Sequence, residues 1–281
     1  VGVMIFMLLA FFRRRRSEST DLPATGASQT GKQILLWGGV VMPTAVLLVV
    51  TGLTLNSLLA LSAPGTSDDL VIDVIGHQWW WEVRYPDAGF VTANEIRIPT
   101  DTRVQVRITS ADVIHSFWIP ELHGKMDMIP GTVNTFWIEA SEPGEYWGVC
   151  TEFCGIQHAN MAFPLVAETA EAYAAWVDRQ QQPAPEPVTA AARRGQALFL
   201  QSACAYCHAI AGTDATGDLG PDLTHLASRR TLAAGMLDNN RGNLSGWIVD
   251  PQHIKPGNLM PTATLTGAEL QDLLAYLATL E

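Results

Sequence analysis

The sequence predicts a multidomain membrane protein: a transmembrane helical hairpin, then an all-β domain, then an all-α domain. Three observations carry this. Residues 33–67 contain no charged side chain, and their centre, Ile34 to Leu61, is strongly apolar, long enough to cross a bilayer as a helix. The section behind it alternates apolar and polar residues, as half-buried strands do. Beyond a proline-rich connector the pattern turns helical. Only 16% of the 281 residues are charged and 48% are hydrophobic, with mean hydropathy +0.13, which argues against one soluble globule and against disorder.

The membrane part opens with Val1 to Phe12, wholly apolar and followed at once by Arg13, Arg14, Arg15 and Arg16. Twelve helical residues reach about 18 Å against a hydrocarbon core of about 30 Å. They read as the second half of a first span whose beginning is missing from the sequence, so the first helix of the hairpin is incomplete. A secretory signal would carry its positive charge ahead of the apolar stretch and end at a small-residue cleavage site; neither is seen. Loop 13–33 holds all five basic residues of the section 1–61, and the positive-inside rule puts it in the cytoplasm. Pro43 is tolerated in the second span because membrane helices accept kinks. The reading is a multi-pass protein in membrane lipid, with everything after residue 62 on the periplasmic or outer face of a bacterial plasma (inner) membrane.

The net charge of −11 is unevenly placed: +3 over residues 1–61, −12 over 62–187 and −2 over 188–281. An acidic middle excludes nucleic acid, whose binders are basic, and suits a basic protein or a neighbour within a complex. The all-β domain is assigned to 62–180. Arg103–Ile108 alternates strictly, and Val71–Ile75, Thr132–Ile138 and Glu145–Val149 are β-branched or aromatic runs bounded by turn residues. Short strands in such succession make a sandwich or barrel. Glu168–Gln182 then reads as a helix.

The chemistry of this domain sits in Cys150-Thr-Glu-Phe-Cys154-Gly-Ile-Gln-His158-Ala-Asn-Met161. Two thiols, an imidazole and a thioether within twelve residues form a soft ligand set that favours copper over magnesium or calcium. His115, after the strand-like Val113-Ile114, offers a second imidazole from another loop. Taken alone, Cys-x3-Cys outside the cytoplasm is a disulfide about as often as a metal site, and Met161 alone is core filler. The full run is far more specific than its parts.

With Asp112-Val-Ile-His115-Ser-Phe, the segment Pro120 to Gly131 and the aromatic Gly76-His-Gln-Trp-Trp-Trp81, this run resembles subunit II of haem–copper cytochrome c oxidases. The resemblance implies a cupredoxin-like domain holding a binuclear CuA centre. By matching position, Cys150 and Cys154 would bridge two coppers, with His115 and His158 as terminal ligands. Met161 and the Glu152 carbonyl would complete the sites. The Glu152 side chain would help bind magnesium at subunit I, and Trp79 resembles the tryptophan through which electrons enter. Relatives often carry a Glu at a proton-path mouth near the second span. Here no Asp or Glu lies between Leu22 and Ser67, so no such role is assigned.

Residues 181–190 form a Pro-rich linker of the semi-extended kind, and 191–281 a helical domain. Ala191–Gln201 and Gly267–Leu280 are its candidate helices. Between them stands Cys204-Ala-Tyr-Cys207-His208, the attachment signature of c-type haem, in which both thiols bond to the haem and the histidine ligates iron. Zinc would want a second Cys/His pair. Met260, in the turn-rich Lys255-Pro-Gly-Asn-Leu-Met260-Pro261, is the candidate sixth ligand; Met236, in a helix-like stretch, reads as core. The domain resembles class I cytochromes c, and Gly220-Pro221 matches the segment whose Pro221 carbonyl would accept from His208.

Together the parts resemble the cytochrome-c-fused (caa-type) oxidase subunit II. That implies electron transfer from cytochrome c or another respiratory donor complex to haem c, then to CuA, then to the haem of subunit I. Oxygen would be reduced to water there, with proton pumping, and subunits I and III would be partners. The tether replaces bimolecular docking with a high effective concentration, leaving the acidic section only a weak guiding role. Rival readings are the CuA subunit of a nitric oxide reductase, a membrane-anchored copper chaperone of thioredoxin-like fold, and an assembly module with a Cys150–Cys154 disulfide.

Overall fold

The computed structural model describes Phe6, residues 28–61 and residues 70–281. The expected first span, Phe6 apart, and the basic loop up to residue 27 lie outside the described residues. The chain divides into two units, residues 1–61 and 62–281.

In the first unit, α1 (Gln29–Leu36) is capped by the Ser28 hydroxyl, which accepts from the Gly31 N–H at 3.2 Å. A π-helical turn, Trp37–Val41, leads into α2 (Met42–Leu61). The wide turn has a local cause. Pro43 brings no N–H and its ring crowds the carbonyl four residues back, which belongs to Gly39. From Gln29 to Leu59 the helix runs 31 residues, about 46 Å at the α-helical rise. Among the described residues it is the helix long and apolar enough to cross a membrane.

The second unit begins with a sandwich of two five-stranded sheets. One sheet holds β1 (Leu70–His77), β2 (Trp80–Tyr85), β3 (Phe90–Ala93), β5 (Val104–Ser110) and β8 (Asn134–Ile138), in the order β3-β2-β1-β5-β8. The other holds β4 (Ile96–Pro99), β6 (His115–Trp118), β7 (Met126–Met128), β9 (Gly144–Cys150) and β10 (Ala162–Glu168), in the order β4-β10-β9-β6-β7. The β1–β5 and β4–β10 pairs are parallel. The alternation read in the sequence is the pleat itself: Val104, Val106 and Ile108 point inward and their neighbours outward. Between the sheets Trp81, Phe117 and Phe163 meet with ring centroids 4.8–5.9 Å apart, within the range of favourable aromatic contacts. Helix α3 (Ala170–Gln180), capped by Thr169, packs Trp176 against Tyr85 and Phe90. The fold has no βαβ unit among the described residues, so the thioredoxin-like rival falls.

The segment behind α3 is extended, as its prolines require, but tied down: the Ala184 N–H donates to the Ala211 carbonyl at 2.9 Å. Then come α4 (Ala190–Gln201), the short α5 (Cys204–Cys207), α6 (Arg241–Val249), α7 (Pro251–Ile254) and α8 (Gly267–Leu277). Helices α4 and α8 cross at Gly195, where a Cβ would stand 2.0 Å from the Asp272 carbonyl oxygen; only glycine permits that approach. Helix α8 opens on a capping box, Thr266 with Glu269, and buries Leu273, Leu274 and Leu277.

Sequence and structure part at Met236. Its stretch is a two-stranded ribbon, β11 (Thr231–Leu232) with β12 (Leu237–Asp238), and Met236 is half-buried in the connecting turn. Ala233, Ala234 and Gly235 in that turn all take positive φ, which a helix cannot contain.

Candidate functional site

His115 opens β6, Cys150 closes β9, and Met161 precedes β10, so the sandwich itself holds three of the ligand candidates. The Cys150 N–H donates to the Met161 carbonyl at 2.9 Å, and the loop between them carries Cys154 and His158. Cys150 Sγ lies 3.8 Å from His115 Nδ1 and 3.3 Å from the Glu152 carbonyl oxygen. Cys154 Sγ lies 3.7 Å from His158 Nδ1 and 4.0 Å from Met161 Sδ. Each sulfur therefore has its own imidazole and one further donor.

The two sulfurs are 3.7 Å apart, against about 2.05 Å in a disulfide, and both cysteines are free. The disulfide rival falls on this geometry. Electrostatics points the same way. The Cys154 thiol beside it, aided by His115, pulls the Cys150 thiol down, whereas the hydrogen bond to Cys150 pushes Cys154 upward. The first thiolate thus resists the second. A cation between them removes that conflict, and sulfur with imidazole suits copper.

Asp112, quoted in the sequence motif without a role, is the outer support. It accepts from His115 Nε2 at 2.9 Å, which turns Nδ1 toward Cys150. Burial opposes charge on fully buried His115, but Asp112 and Cys150 outweigh it and raise its pKa. The spacing Asp-x-x-His was the available signal.

The second site is a cavity of about 510 Å³ lined by Cys204, Cys207, His208 and Met260. His208 Nδ1 donates to the Pro221 carbonyl at 2.7 Å, and burial holds the ring below its usual pKa, hence neutral, with Nε2 left as a free ligand atom. Met260 is presented by a loop in which its N–H donates to Asn258 Oδ1 at 2.8 Å. Size and apolar lining suit a large flat cofactor. Arg229, also on the wall, is 8% exposed and its Nε lacks a hydrogen-bond partner. A buried guanidinium edge facing an apolar cavity fits an acidic substituent on what fills it. Sequence reading missed Arg229, because nothing near it in the chain marks it.

Trp79 joins the two places. It is 8% exposed, lines the cavity, and its Nε1 donates to the Cys154 carbonyl at 2.9 Å. His77 stacks on Trp80 at 4.2 Å and donates to Glu82, and His123 donates to its neighbour's carbonyl. Neither bonds to a ligand candidate. His225 is spent on the Glu281 and Gln180 carbonyls.

The chain matches the family described as cytochrome C oxidase subunit II, periplasmic domain, over residues 88–170. It matches the family described as cytochrome c over residues 192–281. It is 36% identical to the cytochrome c oxidase subunit 2 of Alkalihalophilus pseudofirmus, over 100% of this chain and 82% of that protein. Identity is 33% to the same subunit of Bacillus sp. (strain PS3), over 96% and 80%. It is 31% to that of Bacillus subtilis, over 99% and 83%.

Proposed function

This chain belongs to the cytochrome c oxidase subunit 2 family, with a cytochrome c domain behind the oxidase domain, and from that premise we propose how it carries electrons. Membership makes it a component of an oxidoreductase complex, and its two domains imply CuA copper and haem c. The observation that carries the finer reading is Trp79, which borders the cavity of Cys204, Cys207 and His208 and hydrogen-bonds the main chain of Cys154.

When bound, the two cofactors supply one-electron redox chemistry. The residues do the rest. Cys204 and Cys207 would anchor haem c, His208 and Met260 would ligate its iron, and the Pro221 carbonyl fixes the His208 ring. Cys150 and Cys154, with His115, His158, Met161 and the Glu152 carbonyl, would hold the copper. Two thiolates in a preformed loop would let the centre share charge and leave this chain little to rearrange. Trp79, itself buried, gives a bonded and hydrogen-bonded route from one site to the other.

The domain division is 1–61, 62–180, the linker 181–190 and 191–281. Residues 1–61 are a membrane hairpin, a reading supported for its second span by a helix that is apolar from Ile34 onward and unburied. The rest then stands on the periplasmic or outer face. Electrons arrive from cytochrome c or another respiratory donor and leave for subunit I. Oxygen reduction and proton pumping belong to that subunit, subunit III completes the assembly, and Glu152 would help hold magnesium at the contact. The test is the copper and iron content of the full chain purified from membranes. Two coppers and one iron per chain are expected. A single labile copper, or none, overturns the CuA reading.

A further inference from the structure

One buried lysine borders the haem cavity but belongs to neither ligand set. Lys255 is 1% exposed, although lysine normally keeps its head in water. Its ammonium spends all three donors on main-chain carbonyls: Trp79 at 2.9 Å, Asn160 at 2.7 Å and Ala233 at 2.8 Å. Trp79 and Asn160 belong to two separate segments of the copper half, and Ala233 to the ribbon turn of the haem half. An ammonium with three carbonyl acceptors is satisfied without any carboxylate, and such a group holds three chain segments at one point.

Lys255 also opens the loop that delivers Met260. Asn258 Nδ2 donates to the Lys255 carbonyl at 2.6 Å, while Asn258 Oδ1 accepts from the Met260 N–H. Beside it Gln157 Nε2 donates to the Pro256 carbonyl at 2.8 Å. Gly257, at φ +82, lies so close that a Cβ would stand 2.8 Å from Ile156 Cδ1 and 3.7 Å from the Trp79 ring. The same short loop therefore carries the methionine, grips the Trp79 carbonyl and presses on the copper loop.

We propose that Lys255 is the latch between the halves, a positioning residue that fixes the Met260 loop against Trp79 and keeps the haem half docked. Its importance for electron transfer rests on the Trp79 reading; the latch itself does not. The docked haem half covers Trp79, so an outside donor meets the haem half and not the tryptophan.

The test uses the purified oxidase complex. Acylation of lysines with N-hydroxysuccinimidyl acetate, read by mass spectrometry, compares Lys255 with exposed Lys125. Lys255 is expected to react more than about tenfold slower, because only an opening of the seam exposes it; equal reactivity overturns the proposal. In K255M, amide exchange of residues 155–160 and 256–260 is expected to rise. Haem c to CuA transfer is expected to slow about tenfold and to become viscosity-dependent, with both absorption spectra unchanged. Exchange and transfer as in the wild type overturn it. If K255M does not accumulate, the wild-type labelling decides. Protection of Lys255 in chains found to lack copper would leave the latch standing and count against the functional reading.

Discussion

The copper half and the haem half hold their groups by opposite means. In the copper half, ligands from Cys150 to Met161 sit within twelve residues, on a loop whose ends are joined by a strand-pair hydrogen bond. The core beneath is packed by side chains from both sheets around Trp81, Phe117 and Phe163, with Cys150, Cys154 and Met161 on its edge. In the haem half, Cys204 and Met260 come from opposite ends of the domain, and the helices surround a cavity of about 510 Å³. Copper is thus a guest on a finished scaffold, whereas the haem is part of the core.

The largest effect should come from emptying that core. At ~24 cal/mol per Å³ of residual cavity, a void of about 510 Å³ corresponds to at most about 12 kcal/mol, less where water enters. That is comparable with the whole stability of a domain. Replacing Cys204 and Cys207 together by alanine should therefore abolish cooperative melting of residues 191–281 and expose them to proteases, while the sandwich survives. A haem half that stays folded would break the contrast.

The converse change tests the other side. Cys150→Ser should remove copper from the chain, yet leave the sandwich melting with the chelator-stripped wild type to within about 1 kcal/mol, because the aromatic contacts between the sheets are made by other side chains. A stability loss beyond about 3 kcal/mol, read by denaturant titration of both copper-free forms, would mean that the metal site is part of the core after all.

Between these extremes lies the outer support. Asp112→Asn keeps the shape but loses the carboxylate that orients His115, and should weaken copper binding about 10–100-fold. Competition against a chelator of known affinity measures it. No change would mean that β6 alone orients the ring.

The same contrast explains what was legible in the sequence. Strands with a period of two and both Cys motifs are local, so β5, β9 and the run Cys150–Met161 could be read directly. The helix expected around Met236 could not survive three successive residues at positive φ, a turn forced by docking at Lys255 and Ala162, where the Ala162 N–H donates to the Ala234 carbonyl. Lys255 and the docked linker were illegible for one reason. Their partners are main-chain atoms from other segments, and a carbonyl leaves no letter in a sequence.

The smallest effect is expected at the rim of the seam. Arg230 pairs with Glu145 across the two halves, with side chains 47% and 31% exposed, and its N–H donates to Glu95 Oε2 at 3.1 Å. Exposed pairs contribute about 0–1 kcal/mol and are screened by salt, so Glu145→Gln should slow internal transfer by less than about threefold at low salt and hardly at all near 0.2 M. The buried contacts at Lys255, out of reach of ions, should dominate. A large, salt-dependent loss in Glu145→Gln would reverse that order, and would make the strongly acidic section 62–187 an electrostatic cradle for the haem half instead of a weak guide.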